Sequence, residues 1–253
     1  MKNLGFALCA LVVVFLLYVL FLWICALLVD TKRVYMKQSK FYRRILDDAT
    51  DLLMLVSNVK IHLHGEEKLP SGRFFLVQNH RSKYDPMTTW AALRGRDLAF
   101  ISKPSNFNIP IFGKLIRKCC YLEMDRENVR NAIVTIENAT NLLLNDEVSM
   151  GGYPEGTRSL NCELLPYRNG LFKVPQKAKV PIVVTCITGT EKVHKQAPFR
   201  RTHVYIDILE VLDAEYVATH KTTEIGEHVR EITLKGIADR EVHGGDMEYS
   251  FSD

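Results

Sequence analysis

Residues 73–95 read RFFLVQNHRSKYDPMTTWAALRG. An apolar run of strand length, Phe74 to Val77, gives way to a polar turn and then to a helix. Pro86 suits the first turn of that helix and Gly95 suits its end. A strand that leads through a turn into a helix is the building unit of an α/β fold. The turn itself is dense in ionisable groups: His80, Arg81, Lys83 and Asp85. Asp85 before Pro86 has the composition of a helix N-cap. A His just past a strand end and an Asp at the next helix start can also be held within hydrogen-bonding reach. The carboxylate would then fix the imidazole tautomer, and the free ring nitrogen could take a proton from a hydroxyl.

The alternation extends in both directions. VKIHLHG, residues 59–65, reads as a strand with Val59, Ile61 and Leu63 on one face. LAFIS (98–102), YLEM (121–124), VSMGGYP (148–154), VPIVVTCI (180–187) and THVYIDILEVL (202–212) read as further strands. IFGKLIRKC (111–119), GLFKVPQKA (170–178, broken by Pro175) and TTEIGEHVREITLKGIAD (222–239) read as helices. So does 127–144, with an apolar stripe of Val129, Ile133, Ile136, Ala139 and Leu143. The pattern predicts an α/β fold: a mixed, mostly buried sheet flanked by helices.

Two segments precede it. Asn3 to Val29 carries no charged residue. A helix needs about 20 apolar residues to cross roughly 30 Å of hydrocarbon, and this run is too long for the core of a cleaved signal peptide. It is read as an N-terminal hydrophobic membrane helix, residues 3–29. Lys2 precedes it, whereas Lys32, Arg33, Lys37, Lys40, Arg43 and Arg44 follow it. Positive residues favour the cytoplasmic side, so the rest of the chain is expected on the cytoplasmic face of a membrane. Residues 41–59 read as an amphipathic helix with Phe41, Ile45, Ala49, Leu52 and Val56 on its apolar face. That face suits packing on the globular core or lying on a bilayer. The expected organisation is a membrane anchor over 1–57, a catalytic domain over 58–240 and a tail over 241–253.

Composition narrows the classes. The chain has 253 residues, 47% hydrophobic and 25% charged, with a net charge of +4. That is a folded composition without the concentrated basic stripe of a nucleic-acid binder. The six cysteines form no framework: Cys119 and Cys120 are adjacent, and there is no C-x-x-C pair. Reduced thiols are expected. His62 and His64 share a strand face without further ligands in register, so no metal site is expected.

A second turn carries chemistry. YPEGTRS, residues 153–159, follows an apolar strand. Its backbone amides, the Thr157 hydroxyl and the Arg158 guanidinium suit a phosphate group. It lacks the Lys and spacing of a nucleotide P-loop. Lys103 lies at a strand end and Arg126 just before the 127–144 helix, where both read as solvated cations.

Taken together, four pieces in order resemble the glycerolipid acyltransferase family, whose best-known members act on 1-acyl-sn-glycerol 3-phosphate. Asn79, His80 and Asp85 match its N-H-x-x-x-x-D block. Lys103, Ile109, Pro110, Phe112, Gly113, Asp125 and Arg126 match a second block. Pro154 to Ser159 match F-P-E-G-T-R-S, with Tyr153 in place of Phe, and Val180 to Val183 match a fourth. The departures are Lys114 where the family usually has Trp and Cys120 where it usually has Gly.

The resemblance implies transfer of a fatty acyl group from acyl-CoA or acyl carrier protein to the sn-2 hydroxyl of lysophosphatidic acid, forming phosphatidic acid. It implies His80 as general base, oriented by Asp85. It places Lys103, Arg126, Glu155, Gly156, Thr157 and Arg158 in substrate binding, with Arg158 on the glycerol phosphate. It implies no metal and no bound cofactor, the thioester being a co-substrate, and a membrane lipid rather than nucleic acid as partner. Acyl transfer to another lysolipid, lipid binding without catalysis, and hydrolysis by the same His with water are the competing readings.

Overall fold

The computed structural model describes residues 2–125 and 127–243. Arg126 and the segment 244–253, which holds most of the expected tail, lie outside the described residues.

Helix α1, Lys2–Leu27, is the apolar run, and Cys9–Leu27 within it is long and apolar enough to cross a membrane. Helix α2, Lys40–Val56, starts at Ser39, whose hydroxyl accepts from Tyr42 N. The α2 surface that meets the domain is rotated from the expected stripe. Tyr42, Ile45, Leu46, Thr50 and Met54 are buried, whereas Phe41 and Val56 are more than half exposed. Polar contacts set the rotation: Asp47 accepts from Trp90 Nε1 at 2.7 Å, and Asp51 pairs with Arg94 at 2.5 Å. Helix α2 therefore packs on the core and still shows Phe41, Leu55 and Val56 to its surroundings.

The domain then alternates as expected. Strands β1 (Val59–His64) and β2 (Phe75–Gln78) precede helix α3 (Asp85–Ala92). Strand β3 (Leu98–Ser102), helices α4 (Pro104–Phe107) and α5 (Phe112–Lys118), strand β4 (Leu122–Glu123) and helix α6 (Val129–Leu144) follow. Next come β5 (Ser149–Gly152), α7 (Lys173–Ala178), β6 (Ile182–Thr188), α8 (Val193–Gln196), β7 (Thr202–Leu212), α9 (Ala214–Thr219) and α10 (Thr222–His243). A 3₁₀ turn over Asn169–Phe172 leads into α7. Pro175 thus sits in the first turn of α7, where its missing N–H costs nothing, and does not break the helix. Helix α10 runs past the expected end at Asp239 to His243.

One sheet has the strand order β1-β7-β6-β2-β5-β3-β4, and only the β6–β7 pair is antiparallel. Strand β2 is central and fully buried, which is why it reads as a continuous apolar run and not an alternating one. Its parallel neighbours are β5 and β6. The carboxyl ends of β2, β3, β5 and β6 therefore open on the same edge of the sheet, where α/β folds hold their ligands.

Helix α6 departs from its predicted stripe. Thr135, Ala139, Thr140, Leu142 and Leu143 are buried, while Val129 is 71% and Ile133 58% exposed. The helix meets the sheet only along its later turns.

Gly65 closes β1 at φ +78°, and a Cβ there would stand 2.6 Å from the Ile208 carbonyl oxygen. Gly65→Ala is expected to cost about 2 kcal/mol or more, from left-handed strain plus that clash. Urea denaturation checks this, and activity below the transition should be unchanged.

Candidate active site

The His80 loop is built from main-chain bonds first. Asn79 at the end of β2 donates from Nδ2 to Ile187 O at 3.0 Å and accepts from Ile187 N at 2.7 Å. This pins the loop to β6. His80 N donates to Glu155 Oε1 at 2.6 Å, and His80 O accepts from Ser159 N at 2.8 Å. The loop after β2 is thus locked to the loop after β5 on both sides of His80. The parallel β2–β5 pairing makes these two loops neighbours.

His80 and Asp85 meet, with Nδ1 2.7 Å from Oδ2. A carboxylate only accepts, so the proton in that contact belongs to Nδ1, and in the neutral imidazole Nε2 is the acceptor. Asp85 is fully buried. Its Oδ2 also accepts from Arg81 N at 2.7 Å and Ser82 N at 2.8 Å, and its Oδ1 accepts from Thr190 Oγ1 at 2.5 Å. This corrects the capping expectation. Tyr84 is the N-cap of α3 and makes no side-chain cap bond; Asp85 instead serves the turn before it. A buried charge persists only where donors surround it, and four do so here.

One face of the imidazole is covered. The Tyr153 ring lies parallel to it, with centroids 4.1 Å apart and planes at 20°, and Phe100 backs Tyr153 at 5.6 Å. Burial pushes the Tyr153 phenol well above its ordinary value, with the Asp85 charge adding to the effect. It stays neutral beside the pair.

Glu155 is buried, and both of its oxygens are taken by backbone amides: His80 N and, at 3.0 Å, Leu165 N. Burial raises its carboxyl above the ordinary range, and the Leu165 and His80 amides pull it back. Its carboxylate braces the loop. Glu155→Gln puts an NH₂ against one of these amides. An expected loss of about 1–3 kcal/mol in stability follows, with a lower kcat from a displaced His80. Denaturation and steady-state kinetics on the same preparation check both.

The remaining described candidates follow the carboxyl ends of β3 and β5, on the same edge. Gly156 has φ +76° and donates its N–H to Tyr153 O at 3.0 Å, so the turn itself requires glycine. Thr157 is exposed, and Arg158 is part-exposed without a hydrogen bond or ion pair among the described residues. Lys103 is exposed at the start of α4. In the second block, Cys120 stands at φ +62°, the left-handed conformation that favours the family's glycine. Burial pushes the Cys119 and Cys120 thiols up to about 12, so neither is a nucleophile. His62 and His64 point to separate partners, His203 at 2.9 Å and Asp207 at 2.7 Å.

Three contributors had little sequence signal. Thr190 lies 105 positions from Asp85. The Asn79 clamp needs the β2–β6 pairing. The Tyr153 stack needs β5 beside β2.

The site is a mixed α/β sheet with a buried Asp behind a His at its carboxyl edge. Residues 60–188 match the Acyltransferase family. The chain belongs to that family. It is 30% identical over 173 residues, 68% of this chain and 70% of the relative, to the 1-acyl-sn-glycerol-3-phosphate acyltransferase of Escherichia coli K12. It is 28% identical over 183 residues to the Saccharomyces cerevisiae enzyme of that name, covering 71% of this chain and 59% of the relative. Its fold resembles the crystal structure of the 1-acyl-sn-glycerophosphate (LPA) acyltransferase PlsC from Thermotoga maritima, with a TM-score of 0.66, 23% identity and 91% of each chain covered.

Proposed function

We propose that the protein transfers a fatty acyl group from a phosphopantetheine thioester to the sn-2 hydroxyl of 1-acyl-glycerol 3-phosphate, forming phosphatidic acid. The observation that carries this reading is the His80–Asp85 pair at 2.7 Å on the sheet edge it shares with Arg158, which has no ion pair among the described residues. His80 Nε2 takes the proton of the acceptor hydroxyl as its oxygen attacks the thioester carbonyl. The tetrahedral intermediate then expels the thiolate, which takes that proton back from His80. A placed base contributes about 10²–10⁴-fold. Alignment of the two substrates supplies a further large factor.

Arg158 takes the acceptor phosphate in this reading, with Lys103 and Arg126 as further cations and the Thr157 hydroxyl as a further donor. Gly156 shapes the turn, and Glu155 braces the His80 loop. The organisation is an anchor over 1–57 and a catalytic domain over 58–240. Helix α1 holds the domain at the membrane where its lipid substrate lies, and the basic residues after α1 favour the cytoplasmic face.

Loss of a charge-assisted bond costs about 1.5–3 kcal/mol. Arg158→Ala is therefore expected to raise KM for lysophosphatidic acid by about 10–100-fold, with a much smaller effect on lysophosphatidylcholine. Detergent-solubilised protein assayed with both acceptors tests this. Equal activity on the two acceptors, unchanged in the variant, would overturn the assignment of acceptor.

A further inference from the structure

Beyond its bond to Asp85, the His80 imidazole has one contact that the mechanism above leaves unused. The Tyr153 ring covers one face of it, with centroids 4.1 Å apart and planes at 20°. Strand β5 ends at Gly152 and lies between β2 and β3 in the sheet. The next residue, Tyr153, is thereby placed between the His80 loop and Phe100. Phe100 is buried and lies nearly parallel to Tyr153, at 5.6 Å and 6°. A Cβ on Gly151 would stand 2.8 Å from the Phe100 ring, so glycine in β5 is what lets that ring lie as it does. Tyr121 continues the row, 5.8 Å from Phe100. The ring against His80 is therefore anchored in the core.

The phenol adds no bond to this. Tyr153 Oη is buried without a hydrogen-bond partner. The phenylalanine usual in the family at this position has the same ring and no hydroxyl. An aromatic face carries the negative lobe of the ring quadrupole. A cation within about 6 Å of the ring centroid is attracted to it, and more strongly where water is excluded. In the proposed reaction His80 starts neutral and is an imidazolium while it holds the acceptor proton. The neutral imidazole gains ordinary stacking from Tyr153; the imidazolium gains the attraction of charge to quadrupole as well. Only an interaction that is stronger in the transition state lowers the barrier, and this one grows as the proton arrives. Asp85 meets the charge at the edge of the imidazole, and Tyr153 meets it on the face.

We infer that Tyr153 is a positioning residue whose ring face holds the His80 imidazole and stabilises its protonated form during acyl transfer, with no part for its hydroxyl. The inference rests on the acyl-transfer reading above and deepens it. The acceptor O–H breaks as Nε2–H forms and the oxygen bonds to the thioester carbon. The C–S bond then breaks and the thiolate takes the proton from Nε2. The stack acts over the interval in which His80 carries that proton.

The test compares Tyr153→Phe and Tyr153→Leu with chains carrying 4-fluoro-, 3,5-difluoro- or 3,4,5-trifluorophenylalanine at position 153. Fluorine drains negative charge from the ring face with little change of shape. Full-length protein in detergent receives lysophosphatidic acid and whichever of palmitoyl-CoA and palmitoyl acyl carrier protein wild type uses. The transfer step is read in a single turnover, with KM values from the steady state. Tyr153→Phe is expected to keep a rate close to wild type, and Tyr153→Leu to be about 5–30-fold slower. The rate should fall with each added fluorine and approach that of Tyr153→Leu at the third, while KM for both substrates stays put. Melting curves of the fluorinated chains should overlay that of Tyr153→Phe, so the series decides the matter even where Tyr153→Leu unfolds. A slow Tyr153→Leu with all fluorinated chains as fast as Tyr153→Phe reduces the ring to packing and overturns the inference. So does a Tyr153→Phe as slow as Tyr153→Leu, which would assign the role to the hydroxyl, or an effect confined to KM. Wild-type protein that makes no phosphatidic acid from either donor fails the acyl-transfer reading and this inference together; wild-type protein that makes it at a rate indifferent to the ring fails this inference alone.

Discussion

Replacing His80 with alanine is expected to lower kcat for acyl transfer by about 10²–10⁴-fold with the fold intact. The loop that carries His80 is held by its main chain, through Glu155 on the N–H and Ser159 on the carbonyl. Neither bond uses the imidazole. Asp85 keeps three donors after the change, Arg81 N, Ser82 N and Thr190 Oγ1. A circular dichroism melt close to wild type, with activity lost, separates a missing base from a collapsed loop. KM for both substrates should stay within a small factor, because in the proposed mechanism the imidazole acts on the hydroxyl proton and not on the phosphate or the thioester arm.

Asp85→Asn is the second large effect, expected at about 10³–10⁴-fold in kcat, the scale on which neutralising the carboxylate of a His–Asp pair acts. The side chain can keep its place. The Asn carbonyl oxygen can occupy the Oδ2 position and accept from His80 Nδ1, Arg81 N and Ser82 N. Its NH₂ then meets the Thr190 hydroxyl, which can rotate to accept. What is lost is the negative charge that, in the proposed mechanism, stabilises the imidazolium as the acceptor hydroxyl is deprotonated. Asp85→Ala is a poorer probe. It strands those donors in a fully buried position, and an expected loss of about 3–5 kcal/mol would mix folding with chemistry. Asparagine at near-normal stability with a kcat loss, against alanine with a shifted denaturation midpoint, is the expected contrast.

The strand–helix alternation was legible because buried parallel strands are continuous apolar runs, as in Phe75 to Val77, and because Pro86 and Gly95 punctuate a helix. The meeting of His80 and Asp85 was legible for the same local reason, a short turn between two rigid elements. Faces were less so. Periodicity in α2 marks which residues are apolar, but Asp47 and Trp90 decide which side meets the core, and Phe41 turns outward. In α6 the stripe is real, yet its first turns overshoot the sheet and leave Val129 and Ile133 exposed. The job of Asp85 was only half readable: its N-cap composition is present, while its donors lie in the preceding turn and at Thr190. Glu155 reads as a ligand-binding carboxylate in a phosphate-like turn. Its engagement with His80 N and Leu165 N depends on two loops set side by side by the β2–β5 pairing. The φ of +62° at Cys120 gives the departure from the family's glycine a backbone meaning that one sequence does not carry.

The direct test is the lipid product formed by full-length protein in detergent from 1-oleoyl-glycerol 3-phosphate and a radiolabelled acyl thioester, run beside His80→Ala. The account predicts label in phosphatidic acid with wild type and a loss of at least about 10²-fold with the variant. Label appearing only as free fatty acid, or phosphatidic acid formed equally fast by His80→Ala, would contradict it.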